Sequence, residues 1–151
     1  MENDKFEIIH QQQPDNNTCG QTCLAMLLGV PVQDFISVFG DIPMSSYDVY
    51  NALNKCRFWW NALLFEYFVF NGHYLASVPS LNFEGGGHYI IVRKDDFGMT
   101  IFDPNMGRPG RKFYGDEKDG GVPLRWKCEL IYVCKQGWGG NWYNGYLPKK
   151  K

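Results

Sequence analysis

The stretch from Gly85 to Asn105, GGGHYIIVRKDDFGMTIFDPN, constrains the fold of this 151-residue chain more than any other. Two apolar, β-rich runs, 89–92 and 99–102, flank the turn KDDFG, where Gly98 supplies a positive φ. The pattern predicts an antiparallel hairpin. His88 opens its first strand and Asp103 closes its second, so the two are expected side by side. Further strands are expected at 73–81, closed by Pro79, and at 128–134. Residues 62–70 are apolar and aromatic, and periodicity does not separate strand from helix there.

Helical signals all precede the hairpin. After a polar arm over residues 1–18, a helix is expected from Thr18 or Cys19 through CLAMLLG. Gly29 is its stop, Pro31 lies just beyond, and Leu24, Leu27 and Leu28 face the core. A second short helix fits PVQDFISVF, with Pro31 at its first position and Gly40 after its end. A third fits PMSSYDVYNALNKC, capped by Ser45 or Ser46. Helices first and strands later predict a single α+β domain over 1–151, its N-terminal helices packed on an antiparallel sheet.

Composition narrows the function classes. A net charge of −1 gives no reason to expect nucleic acid as a partner, and the terminal Lys149–Lys151 run reads as a solvated tail. The N-terminus is acidic and polar, without the apolar core of a secretory signal. The longest apolar run, 58–70, is broken by Asn61 and Glu66 and is shorter than the roughly 20 residues of a membrane helix. An odd count of five cysteines argues against a disulfide framework. A cytoplasmic protein without membrane association is therefore expected. Aromatics make up 17% of the chain, enough to line a cleft with flat rings.

Cys19 stands where the polar arm turns into a helix. A sulfur there meets the positive end of the helix dipole and unpaired backbone N–H groups, both of which favour thiolate. Gly20 behind it is expected to leave room for a substrate backbone. Cys23, one turn inside among Leu24, Ala25 and Leu27, reads as core. Three glycines before His88 open space around its ring. Asp103 is expected to accept the Nδ1–H of His88, leaving Nε2 to meet Cys19. Asn105 is an alternative orienting group, whereas His10 and His73 read as incidental. Gln13 precedes Cys19 by six residues, in the arm that passes the helix start, and its amide suits an oxyanion donor beside the Cys19 N–H. Gln11 and Gln12 leave that register open by one. Nucleophile, base, orienter and oxyanion donor are thus all represented.

Q-PDNNTCGQTCLAML followed by GGGHYIIV and MTIFDP resembles the peptidase C39-like group of papain-fold cysteine peptidases. In that group a Gln lies six before a Cys-Gly that opens the central helix. A Gly-His begins a strand there, and an Asp-Pro follows about fifteen residues later. His88 and Asp103 are fifteen apart, and the match runs over roughly residues 8–105. The resemblance implies a papain-like fold, with Cys19 as nucleophile, His88 as base and acid, Asp103 as orienter and Gln13 as oxyanion donor. It implies a cysteine peptidase acting on a peptide or protein, with no cofactor. Thr18 stands where the group often has Asp. No transporter is attached, so the leader-peptide substrate of the transporter-borne members is not carried over. The Gly- and Trp-rich segment 137–146 lies outside the match and reads as a packed tail or a substrate-contacting flap.

Three rivals share these residues. Cys19 and Cys23 with His10 or His88 make only a weak zinc set, because no second paired cluster accompanies them. Cys128 and Cys134 would sit about 20 Å apart along one strand, too far for one ion. A Cys19–Cys23 disulfide is disfavoured by the parallel Cβ vectors of helical i, i+4 positions. The same site also suits acyl transfer or deamidation of the transglutaminase kind. A binding or inhibitor protein on an inactive enzyme fold is the third rival.

Overall fold

The computed structural model describes residues 7–63, 68, 70–125 and 129–135. Cys128, residues 137–146, Lys149–Lys151 and most of 64–69 lie outside them. The element order is α1 (Cys19–Leu28), α2 (Val32–Phe39), α3 (Ser46–Lys55), β1 (Phe58–Leu63), β2 (Gly72–Pro79), β3 (Gly87–Asp95), β4 (Gly98–Phe102) and β5 (Glu129–Lys135). The α+β expectation therefore holds, with helices first and strands after.

α1 ends as its sequence dictates: Gly29 adopts the left-handed conformation (φ 74°), and its N–H reaches the Ala25 and Met26 carbonyls. The helix is more deeply placed than a one-faced pattern implies, since every residue from Gly20 to Leu28 is buried. Gln21, also buried, uses Nε2 to hold the Ile42 carbonyl (2.6 Å) and fasten the segment between α2 and α3. Pro31 is the residue before α2 rather than its first, with an extended ψ of 142°. α3 begins in a full capping box: Ser45 Oγ accepts the Asp48 N–H, and the Asp48 carboxylate accepts the Ser45 N–H.

The five strands form one antiparallel sheet in the order β1-β5-β2-β3-β4, so the last strand inserts between the first two. β1 lies earlier than the 62–70 run, because Arg57 turns the chain with φ 61° and Phe58 already pairs with Lys135. The β3–β4 hairpin closes at Asp95↔Gly98, where Asp95 Oδ1 accepts the N–H groups of Phe97 and Gly98. Side chains alternate between the two faces of the sheet. Leu75, Ile91, Ile131 and Val133 pack with the helices in one cluster, and Tyr74, Ala76, Ile90, Val92 and Leu130 pack with Tyr114 in the other. Among the described residues no single helix is long and apolar enough to cross a membrane.

The arm before α1 is fixed by side-chain bonds. Gln11 Nε2 donates to the Val30 carbonyl (2.7 Å), and Gln11 Oε1 accepts the Val32 N–H (2.9 Å), bridging the α1–α2 junction. The neighbouring Gln12 is exposed. Gln11→Ala strands both backbone partners and is expected to lower stability by about 2 kcal/mol. Gln12→Ala is expected to change it by less than about 0.5 kcal/mol. Urea unfolding of the two variants measures the contrast.

Candidate active site

Cys19 is half-buried at the first position of α1. The preceding residue, Thr18, is of a type that usually caps a helix, yet its side chain makes no cap bond. Its hydroxyl instead donates to Asp15 Oδ1 (2.9 Å), and no acidic residue occupies the first turn. The helix start around Cys19 is left without the side-chain acceptor that α3 has, so its N–H groups and positive dipole end face the sulfur. Gly20 has a different use from the one expected. A Cβ there would lie 3.3 Å from Met44 Cβ and 3.5 Å from the Tyr89 ring, so the protein's own side chains fill the space. The open glycine is Gly87, where a Cβ would meet nothing within 4 Å.

His88 and Asp103 meet through the hairpin register. The ladder ends at Ile91↔Phe102, so one further step sets Asp103 opposite Ile90, on the same face as His88. That diagonal is within reach of an imidazole. His88 Nε2 lies 2.7 Å from Asp103 Oδ1. The nitrogens are therefore reversed from the expectation: Nε2 faces the carboxylate, and Nδ1 is the nitrogen left for the Cys19 side chain, which also acts on the titration of the ring. Burial alone would favour the neutral ring. The Asp103 bond, the Cys19 bond and the Coulombic pull of both groups outweigh it, and the His88 pKa rises from 6.5 to about 9.

Asp103 is almost wholly buried, at 1% exposure, and its carboxylate is well satisfied. Oδ1 also accepts the Asn105 N–H (2.8 Å), and Oδ2 accepts the Tyr114 N–H (2.7 Å). Its backbone carbonyl accepts from His10 Nε2 (2.7 Å), so His10 is a structural partner of the site and not incidental. His73 is buried within β2 and does not line the cleft. Asn105 does not orient His88; its Oδ1 accepts from Arg108 Nη1 (2.8 Å).

Of the three glutamines, Gln13 is the one that lines the cleft. Its backbone N–H donates to the Pro104 carbonyl (2.9 Å), which ties the arm to the end of β4. Its side chain is buried and lines the same narrow cleft as Cys19, Gly87 and His88. Nε2 donates to the Asp15 carbonyl (2.7 Å), which takes one of its two hydrogens, and Oε1 has no partner among the described residues. Sequence reasoning missed Asn16, Arg108 and Arg111, which line the cleft from loops that carry no periodic signal. Larger hollows of about 420 Å³ and 580 Å³ lie elsewhere, and neither is lined by a cysteine or serine.

The other described thiols differ in kind. Cys23 is fully buried, and burial followed by the charges of Cys19 and Asp103 pushes its pKa well up. Burial pushes the Cys56 thiol up to about 12. Cys19 and Cys23 are both free thiols, and among the described residues no three His, Cys, Asp or Glu side chains group as metal ligands.

Three helices on a five-stranded antiparallel sheet, with Cys19, His88 and Asp103 converging at one end of it, have the fold of C39 papain-like peptidase domains. Two solved structures carry this finding. The peptidase domain of Streptococcus ComA, a bifunctional ABC transporter involved in a quorum-sensing pathway, superposes with a TM-score of 0.60. It is 16% identical and matches over 86% of this chain and 100% of its own. A double-glycine-motif protease from an AMS/PCAT transporter, in complex with its leader peptide, gives 0.56 at 15% identity, over 86% and 93% of the two chains. No family model matches the sequence, and no curated protein matches it.

The differing burial of the thiols has a measurable consequence. In folded protein at neutral pH, iodoacetamide is expected to modify Cys19 at least about tenfold faster than Cys23 or Cys56. Peptide mapping of a time course reads the rates, and equal labelling of the three would remove the case for an activated sulfur.

Proposed function

We propose that the chain is a thiol-dependent hydrolase that cleaves a peptide or isopeptide bond, with Cys19 as nucleophile, His88 as acid and base, and Asp103 as orienter. The observation that carries this reading is the single ring of His88, bonded to a buried carboxylate and lining the same cleft as Cys19 at an uncapped helix start. The peptidase fold supports it, and the leader peptide bound by one similar structure supports a peptide as substrate here.

The chemistry follows from the donors. Imidazolium beside the sulfur favours a thiolate, which attacks the carbonyl carbon. Negative charge then develops on the carbonyl oxygen. It is met by the Cys19 N–H and by the second hydrogen of Gln13 Nε2, whose first is engaged by the Asp15 carbonyl. His88 Nδ1–H gives its proton to the leaving amine as the C–N bond breaks, and a thioester remains. Water attacks the thioester as Nδ1 takes its proton, and the C–S bond breaks to release a carboxylic acid. Through both steps Nε2–H stays on Asp103 and fixes the plane of the ring.

The step that needs protonated His88 sets the alkaline side of the rate profile. Activity is expected to fall as pH rises through about 9, where the ring loses its proton. Asp103→Asn removes the charge that raises that pKa and weakens the bond beside it, so the alkaline limb should move to lower pH and the maximal rate should drop. Cys19→Ala should abolish turnover of an internally quenched peptide library, and Gln13→Ala should reduce it about 100-fold. Undiminished turnover by Cys19→Ala would overturn the reading. Incorporation of a labelled amine in place of release of a free carboxylate would reassign the reaction to acyl transfer.

A further inference from the structure

Two guanidinium groups, Arg108 and Arg111, line the cleft that holds Cys19 and His88. Among the described residues neither makes an ion pair; the two ion pairs present are His88–Asp103 and Lys118–Asp116. Among the described residues no carboxylate lines the cleft, since Asp103 lies behind the ring with both oxygens engaged. Glu84, in the loop that carries Phe83, pairs with neither arginine.

Both side chains are held in place by neutral groups. Arg108 Nη1 donates to Asn105 Oδ1 (2.8 Å), and Nη2 donates to Asn16 Oδ1 (3.1 Å). Asn105 is itself buried, with its N–H on Asp103. Amide oxygens orient a guanidinium without neutralising it, and three of its five N–H donors remain. Arg111 stacks over the Phe83 ring, 5.4 Å from its centroid, again without a counter-charge. The Phe83 loop is tied to the arginine loop by Asn82, whose amide bonds both the N–H and the carbonyl of Lys112. Two like charges beside one cleft, oriented but unneutralised, form a site for an anion.

We infer that Arg108 and Arg111 form a carboxylate-binding subsite, and that the substrate is a peptide carrying a carboxylate beside the scissile bond. This rests on the reading of Cys19 as the nucleophile. The carboxylate belongs to an acidic side chain or to a nearby free C-terminus, which share the same recognition chemistry.

The test first uses two small alkylating agents that differ only in charge. Rates of Cys19 modification by anionic iodoacetate and neutral iodoacetamide are measured for the full chain and for Arg108→Gln, Arg111→Gln, the double variant and Arg108→Lys. His88 contributes equally to all of them, so the change in the iodoacetate-to-iodoacetamide ratio isolates the arginines. The ratio is expected to fall about tenfold in the double variant and to be retained in Arg108→Lys. An unchanged ratio, or an equal fall of both rates as a merely structural clamp would give, overturns the subsite. Failure of iodoacetamide to prefer Cys19 in the unmodified protein overturns the nucleophile reading instead, so the two failures are distinct. If Arg108→Gln does not fold, Arg111→Gln and Arg108→Lys still decide the matter.

Matched quenched peptides form the second arm. They carry Glu, Gln or Lys on either side of the cleaved bond, each with a free or an amidated C-terminus. A preference of about ten- to hundredfold for Glu, lost in the double variant, assigns a side-chain carboxylate. The same preference for a free terminus alone assigns a terminal one. Equal cleavage of Glu, Gln and Lys peptides, free or amidated, overturns the proposal.

Discussion

A buried carboxylate holds the working end of this molecule together. Placing an unpaired Asp at the position of Asp103 would cost several kcal/mol, because its charge has lost its water. Three N–H groups from three parts of the chain offset that cost: the ring of His88 on β3, Asn105 in its own turn and Tyr114 in the following loop. The main chain beside it does the same for the arm, where His10 bonds the Asp103 carbonyl and the Gln13 N–H bonds the Pro104 carbonyl. One Asp-Pro pair therefore fixes the imidazole, the arm and the loop that carries the arginines. Removing its charge would disturb all three together.

Against this rigid side stands a helix end that has been left open. α3 shows that the chain is able to cap a helix fully when the sequence supplies Ser and Asp at the right spacing. α1 has Thr18 in the equivalent place, but its hydroxyl is turned to Asp15, which also accepts the Asn17 N–H. An uncapped start costs about 1 kcal/mol in an ordinary helix. The cost is tolerable because α1 is buried along nearly its whole length, so packing holds the helix where its cap does not. The burial that makes Cys23 inert thus permits the open end at Cys19.

Much of this was legible in the sequence, for identifiable reasons. The hairpin turn, the glycine stop after α1, the Ser45 cap and the helix-then-strand order are local signals, and each appears within a residue or two of its expected place. That Cys19, His88 and Asp103 lie close together was readable because each stands at or beside the start or end of an element, and Gln13 was found by its distance from Cys19. What failed was orientation. The hairpin pattern placed His88 near Asp103 but did not reveal which nitrogen of the ring faces the carboxylate. Gly20 was misread because the Met44 and Tyr89 side chains that fill its space come from distant segments. The arginines sit in loops without periodicity, Arg108 held by asparagines 3 and 92 positions away and Arg111 stacked on Phe83, and pairings of that kind exist only in the folded chain.

The charges around the cleft fit one another. At neutral pH a His88 ring titrating near 9 is cationic, and Asp103 balances that charge from behind. Arg108 and Arg111 add two more positive charges at the mouth, with nothing in the described chain to offset them. Such a field favours an anion in the cleft. It acts on an approaching carboxylate as well, because the same field lines run out through the opening. On the proposed reading, catalysis at Cys19 and selection of an acidic substrate draw on a single arrangement of charge. On that reading, a substrate that brought a positive charge beside its scissile bond would meet repulsion from Arg108 and Arg111.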